Sequence, residues 1–183
     1  MWKTIVKTIV VSGLVLCLIG IAVADQLATA DTEAAPVEEA PKIGYLAPAF
    51  QLETLDGGKA GIERGGQGKG VIINFWASWC DPCRLEAPFL AEMYEKYSSD
   101  LDIYGVNGTQ YDDMDSVRAF VNQYKYTFPI LLDKESKVFK LYKVPGYPTS
   151  IFIDRNGVIR DIVIGLPGHE EYEGKIKNIV NRQ

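Results

Sequence analysis

The feature that most restricts the fold is a pair of cysteines, three residues apart, that follows an apolar run. Residues 71–77, VIINFWA, form the kind of continuous apolar run that is typical of a central strand covered on both faces. From Cys83 to about Tyr97, apolar residues recur at helical spacing. The sequence therefore predicts that Cys80 lies where a buried strand ends and a helix begins.

A helix start is a favourable place for a thiolate, because free backbone N–H groups and the positive end of the helix dipole stabilise negative charge there. Cys83 lies one turn beyond Cys80, within bonding reach, and Pro82 suits the first helical turn. A thiolate that attacks a disulfide, with a second thiol to resolve the intermediate, is the minimum requirement for thiol–disulfide exchange. We therefore interpret the two cysteines as a redox pair.

Two other interpretations of the pair stay open. A structural disulfide also fits an exported protein, although so short a loop closes little chain entropy. A metal site needs more ligands than one CxxC supplies. The third cysteine, Cys17, lies in an N-terminal apolar run, and the only histidine, His169, is predicted to be an exposed residue at a distant helix start. We therefore expect no metal and no other cofactor.

Residues 1–24 are predicted to be a membrane anchor or a signal segment. Lys3 and Lys7 precede an uncharged apolar run over residues 8–24. This run is at the short end of the length that a membrane-spanning helix needs, and Ala22-Val23-Ala24 also fits a signal-peptide cut. The basic residues predict a cytoplasmic N-terminus and an exported domain. We expect a single-pass protein of the cell membrane with its domain on the extracytoplasmic side, or a secreted or periplasmic protein if the segment is cleaved.

The rest of the chain divides into a spacer and one domain. Residues 25–42 hold five acids, two prolines and no apolar period, which is typical of a flexible spacer. Residues 43–183 are long enough for one core and carry 16 basic and 19 acidic side chains. Because no basic block interrupts this slightly acidic composition, nucleic acid is not an expected partner.

Strand and helix patterns alternate along the predicted domain. Its start, PAFQLETL, alternates apolar and polar residues and meets Asp56-Gly57, which predicts a hairpin. Asn156-Gly157 predicts a second hairpin near the C-terminus. Between and beyond the hairpins, the patterns predict strands at LDIYGVN and FPILLD and helices at residues 115–124, at 136–142 and from His169 onward. This order indicates an α/β fold around one sheet.

The stretch FWASWCDPC resembles the active site of the thioredoxin superfamily. The wider pattern resembles its ResA/TlpA-like branch, which consists of membrane-anchored extracytoplasmic thiol–disulfide oxidoreductases linked to cytochrome c maturation. This wider resemblance depends on APAFQLETLDG, FWASWCDPCRLEAP, FPILLD, VPGYPTSIFID and NGVI, and it extends from about Gly44 onward. It implies a thioredoxin-like fold, in which a central mixed β-sheet is flanked by helices and preceded by an N-terminal β-hairpin extension.

The resemblance also implies roles for individual residues. It makes Cys80 the exposed nucleophile and Cys83 the resolving thiol of the redox disulfide. Glu86 matches a glutamate that this branch keeps beside the active site, so it is a candidate catalytic acid–base, although an ordinary exposed helix glutamate is the alternative. Pro148 matches the cis-proline that faces the disulfide, with a trans-proline as the alternative, and the backbone of Tyr147 would pair with an extended substrate.

Three further residues belong to the implied substrate-binding surface, namely Trp79, Asp81 and Pro82. Asp81 stands where glycine is usual in the superfamily, and Tyr147 is a large residue to precede the proline, so both can narrow the choice of substrate. Trp76 either walls the site or belongs to the core.

The predicted function is that of an extracytoplasmic thiol–disulfide oxidoreductase. The resemblance favours a monomeric reductant of protein disulfides, such as the CxxCH disulfide of apocytochrome c, with electrons from an integral-membrane thiol–disulfide donor. An oxidase or isomerase on the same fold is one alternative. A metal-binding assembly factor for cytochrome or oxidase biogenesis is an alternative from another class. A peroxidase is disfavoured, because Ala77 occupies the first position of the Thr/Ser-x-x-Cys pattern that peroxide chemistry requires.

Overall fold

The computed structural model of the protein describes residues 38–63 and 68–182. The predicted anchor and most of the predicted spacer lie outside these residues. Within the described ranges, no helix has the length and apolar character needed to cross a membrane. The last spacer residues, 38–42, already bond to the domain: Leu46 N donates to Glu38 O, and Ala40 N donates to Leu46 O.

A five-stranded mixed sheet forms the centre of the domain. The strands in the described ranges are β1 (Phe50–Glu53), β2 (Lys59–Ile62), β3 (Gly70–Trp76), β4 (Leu101–Asn107), β5 (Ile130–Leu132), β6 (Thr149–Ile153) and β7 (Ile159–Ile164). The central sheet has the order β5-β4-β3-β6-β7, with β3, β4 and β5 parallel and β6 and β7 antiparallel to their neighbours. Because β3 is the middle strand, every one of its residues is buried, as its apolar run predicted.

In the part of the chain that the structure describes, α-helices cover both faces of this sheet. They are α1 (Asp81–Lys96), α2 (Met114–Tyr124), α3 (Lys137–Leu141) and α4 (His169–Asn181). One apolar core lies between the sheet and helices α1, α2 and α4. The other lies between the sheet, α3 and the strands β1 and β2. The predicted α/β class, with a central mixed sheet flanked by helices, is confirmed.

The alternation of side chains along β3 decides what faces α1. Ile73 and Phe75 belong to the core on the α3 side, whereas Ile72 and Trp76 belong to the core on the α1 side. Successive side chains of a strand point to opposite faces, so Asn74 lies on the α1 side. A polar residue is thus placed in the core below the helix that carries the second cysteine.

The N-terminal part of the domain reaches both edges of the sheet. Strands β1 and β2 pair antiparallel across the Asp56-Gly57 turn, which confirms the predicted hairpin extension. After β1, Leu55 N donates to Ile130 O of edge strand β5 at 2.8 Å. At the opposite edge, Ile159 N of β7 donates to Tyr45 O at 2.9 Å. The segment from Tyr45 to Leu55, which includes β1, therefore connects the two outer strands of the sheet.

Candidate active site

Cys80 is the residue that begins helix α1. Strand β3 ends at Trp76, and after a short loop Cys80 takes an extended conformation as the N-cap of the helix. Its Sγ accepts a hydrogen bond from the backbone N of Cys83 at 3.2 Å, and Pro82 lies in the first turn. The sulfur therefore lies at the positive end of the helix, where the sequence predicted it.

The two cysteines are joined in a disulfide. Cys80 is only 5% exposed and Cys83 2%, so the expectation that Cys80 is an exposed residue is wrong for this oxidised state. The reason is that the N-cap sulfur turns toward the helix and packs in the core that contains Trp76 and Ala77. Cys80 nevertheless remains the more accessible of the two cysteines.

The loop before Cys80 is held by side chains that the sequence did not single out. Ser78 donates to the Asp112 carboxylate through its backbone N at 2.7 Å and its hydroxyl at 2.5 Å. Asn107 Nδ2 donates to the same carboxylate at 2.8 Å. Arg84 donates two hydrogen bonds to Ser78 O at 3.1 and 3.0 Å. The β4–α2 connection and the first turn of α1 thus fix the cysteine loop from two sides.

An aromatic pair lies beside this loop. Trp79 is 54% exposed, and its indole N donates to Tyr111 O at 2.9 Å. Its ring meets that of Tyr147 edge to face, with 5.5 Å between the ring centroids. The other side of Tyr147 contacts Phe139 at 5.1 Å. The structure therefore brings together Trp79 and Tyr147, which the resemblance assigned to the substrate-binding surface.

Trp76 has a different environment from Trp79. It is buried in the α1-side core, where its ring centroid is 4.5 Å from that of Phe120. Of the two sequence interpretations of Trp76, the structure shows the core residue.

The Tyr147–Pro148 peptide bond is cis, as the resemblance implied. Pro148 is buried, and its carbonyl accepts a hydrogen bond from Gly165 N at 2.8 Å. This bond brings the end of β7 beside the proline loop, together with the exposed apolar side chains of Ile164 and Leu166. Sequence reasoning missed both residues, because a strand pattern does not show which strand end borders the proline loop.

Asp81 and Pro82 lie on the outer side of the helix start. Both are exposed, and the Asp81 side chain keeps 90% of its surface open to solvent. Its contact with Arg84, at 3.9 Å, is a long surface ion pair that contributes little to stability. These two residues are therefore accessible to a partner that approaches the disulfide.

Glu86 is buried, with 2% exposure, so the alternative of an ordinary exposed glutamate is excluded. It lies three residues beyond Cys83, on the same face of α1. Asn74 Nδ2 donates to Glu86 Oε2 at 2.9 Å, whereas Oε1 has no hydrogen-bond partner among the described residues. Burial raises the pKa of Glu86 to about 7, and the hydrogen bond from Asn74 acts in the opposite direction.

Among the described residues, the groups that bond to Glu86 or shift its pKa are uncharged. Asn74 also donates to Ser150 Oγ at 3.0 Å, and Ser150 Oγ is hydrogen-bonded to Tyr172 OH at 2.9 Å. Burial raises the pKa values of Tyr126 and Tyr172, and the charge of Glu86 raises them further, so both phenols are neutral at ordinary pH. This site combines a redox-active type of disulfide with a carboxyl group that titrates near neutrality.

A metal centre is not formed by the side chains in the described part of the chain. In residues 38–63 and 68–182, no group of three or more His, Cys, Asp or Glu side chains is arranged to hold an ion. His169 is exposed at the start of α4, as predicted, and its ring stacks on Phe89 with 4.3 Å between the centroids.

The AhpC/TSA family matches residues 43–162 of the chain. Among curated proteins, the thioredoxin-like protein YneN of Bacillus subtilis is 41% identical over 134 residues, which are 73% of this chain and 78% of YneN. The thiol–disulfide oxidoreductase ResA of Bacillus thuringiensis is 38% identical over 143 residues, which are 78% of this chain and 81% of ResA.

A solved structure shows the same architecture. The Chlorobium tepidum protein assigned as the thiol:disulfide interchange protein DsbE superposes with a TM-score of 0.68 at 29% identity. The superposition covers 76% of this chain and 99% of that protein. The family match extends across β3, the cysteine pair and the proline loop. The chain therefore belongs to the AhpC/TSA family of thioredoxin-like proteins and is a thiol–disulfide oxidoreductase of the ResA and DsbE type.

Proposed function

We propose that the protein reduces disulfides in exported protein substrates, with Cys80 as the attacking sulfur and Cys83 as the resolving sulfur. The observation that supports this assignment best is the N-cap geometry, in which the Cys83 backbone N–H points at the Cys80 sulfur. In the reduced protein, this N–H and the helix dipole would stabilise a thiolate on Cys80. Cys83 lies inside the first helical turn and is less exposed than Cys80, which supports its assignment as the resolving sulfur.

The exchange consists of two attacks that transfer two electrons to the substrate. The Cys80 thiolate attacks one sulfur of the substrate disulfide and forms a mixed disulfide, while the other substrate sulfur leaves as a thiolate and takes up a proton. Cys83 then loses its proton and attacks the Cys80 sulfur. This step closes the Cys80–Cys83 disulfide and releases the second substrate sulfur, which is protonated in turn.

Glu86 is the proposed acid–base for the second attack. Its carboxylate takes the proton of Cys83 when the disulfide closes, and its protonated form returns a proton to Cys83 when a donor reduces the enzyme. Because Oε2 accepts the hydrogen bond from Asn74, the proton is carried on Oε1. The pKa of about 7 suits both directions, since each form is well populated near neutral pH.

The substrate would bind as an extended segment along the cis-proline loop. Pairing between β3 and β6 ends at Thr149, so the backbone of Tyr147 takes no part in that ladder and is available to an incoming strand. The exposed ring of Trp79 and the accessible Asp81 and Pro82 would contact the same segment.

The proposed direction is reduction rather than oxidation. A negative neighbour disfavours a thiolate and therefore favours the disulfide, which makes the dithiol a stronger reductant. The buried Glu86 is the relevant charge, because Asp81 is exposed and its charge is screened by solvent. An oxidase or isomerase on the same fold would need a site that stabilises the thiolate relative to the disulfide.

The proposed place of action is outside the cytoplasm, with the protein anchored by residues 1–24 or released by cleavage after them. The basic residues before the apolar run support this orientation. The CxxCH disulfide of apocytochrome c is the proposed substrate, and a membrane-embedded thiol–disulfide protein is the proposed donor. We propose that the protein acts as a monomer, because one chain supplies both cysteines and Glu86.

Changing Cys83 to Ser should trap substrates. The mixed disulfide at Cys80 then has no resolving thiol, so it should accumulate in cells, where mass spectrometry can identify the partners. Exported proteins with a CxxCH motif are the expected partners. Cys80→Ser is the matched control and should trap nothing. Trapping by the control alone would reverse the two roles, and partners confined to the cytoplasm would contradict the proposed location.

A redox titration against glutathione tests whether the protein acts as a reductant or as an oxidant. We expect a reduction potential closer to about −270 mV, as in thioredoxin, than to about −120 mV, as in a strong periplasmic oxidant. A value near the second figure would favour the oxidase alternative.

Replacing Glu86 by Gln should change two pH profiles. In the folded protein the pKa of Glu86 is about 7, whereas in the unfolded chain it has the ordinary value of 4.5. Between these pH values the unfolded chain loses the proton that the folded protein keeps, so the free energy of unfolding should fall as the pH rises. In Glu86→Gln this fall should be lost. The pKa of the Cys80 thiol, read from alkylation rates, should decrease because a negative neighbour is removed, and turnover with disulfides should slow. Identical alkylation profiles and equal turnover would leave Glu86 without a catalytic role.

Gly108 provides a test of the role of Tyr147. A Cβ at Gly108 would overlap the Tyr147 hydroxyl oxygen, whereas a Cβ at Gly146, which directly precedes Tyr147, would meet no atom within 4 Å. Gly108→Ala should therefore displace Tyr147 and lower kcat/KM for a peptide disulfide about tenfold, which corresponds to about 1.4 kcal/mol. Gly146→Ala is the control and should change kcat/KM by less than about twofold. Equal effects of the two substitutions would show that the position of Tyr147 does not matter for the substrate.

A further inference from the structure

Asn74 is a fully buried polar residue in the middle of the central strand. In the antiparallel pairing of β3 and β6 it lies directly opposite Ser150, so the two side chains share the α1 face of the sheet. A buried amide is costly unless its hydrogen bonds are made, and an apolar side chain would fill this position at lower cost. The contacts of Asn74 therefore indicate what the residue does.

Both amide hydrogens of Asn74 have acceptors. A primary amide has two N–H donors, and Nδ2 lies 2.9 Å from Glu86 Oε2 and 3.0 Å from Ser150 Oγ. Ser150 Oγ is held in turn by Tyr172 OH at 2.9 Å. Rotation of the amide would replace the N–H donor at Glu86 Oε2 by Oδ1, an acceptor that has no hydrogen-bond partner among the described residues, so the contact with Glu86 defines which group Asn74 presents to it. That group is an N–H donor.

We propose that Asn74 is a positioning residue for disulfide exchange, which holds the carboxylate of Glu86 below Cys83 and keeps it able to ionise in the core. This inference rests on the proposed acid–base role of Glu86. A hydrogen-bond donor stabilises a carboxylate more than it stabilises a carboxylic acid, so the contact favours the form that can accept the proton of Cys83.

The groups around Glu86 leave Asn74 as the main source of this stabilisation. Tyr126, from the segment before β5, and Tyr172, from α4, are neutral phenols, and the cysteine pair of α1 is uncharged as a disulfide. Within the described ranges, no Lys, Arg or His is among the groups that shift the titration of Glu86. Burial raises the pKa of Glu86 to about 7 against the opposing effect of Asn74. Loss of Asn74 would leave burial unopposed, and Glu86 would stay protonated at neutral pH.

The titration of Glu86 can be followed directly. The probe is the side-chain carboxyl carbon of Glu86, observed by NMR in full-length protein with labelled glutamate and assigned with Glu86→Gln. Asn74→Ala should raise the Glu86 midpoint by about one pH unit or more. The pH at which kcat/KM reaches half its maximum should move upward with it. The matched control is Asn107→Ala, which removes another buried amide of the same sheet that donates to Asp112 and not to Glu86. Its Glu86 midpoint should equal that of the wild type.

Asn74→Asp is the second variant, in case the alanine variant does not fold. It has nearly the same shape, but its carboxylate replaces the donor by an acceptor. Two adjacent carboxyl groups would share one proton, so the Glu86 signal should titrate in two steps, with the upper step above the wild-type midpoint. A single step at the wild-type midpoint would overturn the inference.

The outcomes separate this inference from the proposed function. If Asn74→Ala leaves the Glu86 midpoint unchanged or lowers it while Glu86→Gln still slows turnover, Asn74 is not the positioning residue and the acid–base role of Glu86 stands. If Asn74→Ala raises the midpoint but Glu86→Gln turns over at the wild-type rate, the contact has the effect described and the acid–base role is wrong. Equal midpoint shifts in Asn74→Ala and Asn107→Ala would show a general effect of disturbing the sheet, which also overturns the inference.

Discussion

The hydrogen bond from the Cys83 backbone to the Cys80 sulfur joins the two parts of the molecule on which the chemistry depends. On one side of it, β3 is buried along its whole length and anchors the start of the loop that leads to Cys80. On the other side, α1 begins and directs the backbone N–H of Cys83 at the sulfur. The sheet, the clamp formed by Asp112 on Ser78 and the packing of α1 all keep this junction in one geometry.

The second feature of the site is the buried carboxyl group of Glu86, on the same helix face as Cys83. A charge in an apolar core opposes folding, and here a single amide donor compensates part of that cost. The protein therefore keeps a destabilising residue where an apolar one would pack better. A buried carboxyl group that lowers stability is expected at a functional site rather than in a purely structural core.

The parts of the fold that could be predicted from sequence are those with local signals. The apolar run of β3, the helical period after Cys83 and the turns at Asp56-Gly57 and Asn156-Gly157 each lie within a short window, and each prediction is confirmed. Contacts between distant residues could not be found in this way. Asp112 lies 34 residues beyond Ser78, and its carboxylate has no pattern that points to a partner.

Burial of individual side chains was predicted less well than the elements that carry them. The helix start at Cys80 was correct, but the direction of its sulfur depends on tertiary packing, so its exposure was predicted wrongly. For Glu86 a signal was present, because it shares the helical face of Cys83 and Leu90, both of which are buried. Asn74 carried the same kind of signal as a polar residue within an apolar strand.

The backbone contacts of the N-terminal segment with both outer strands also affect how far the edges of the central sheet are open to other chains. Unpaired edge strands are templates for association with other chains, and Leu55 and Tyr45 occupy backbone groups on β5 and β7 respectively. The same short stretch thus pairs with part of each edge of the central sheet. The proposed recognition site, the backbone of Tyr147, lies beyond the end of the β3–β6 ladder and away from these two contacts.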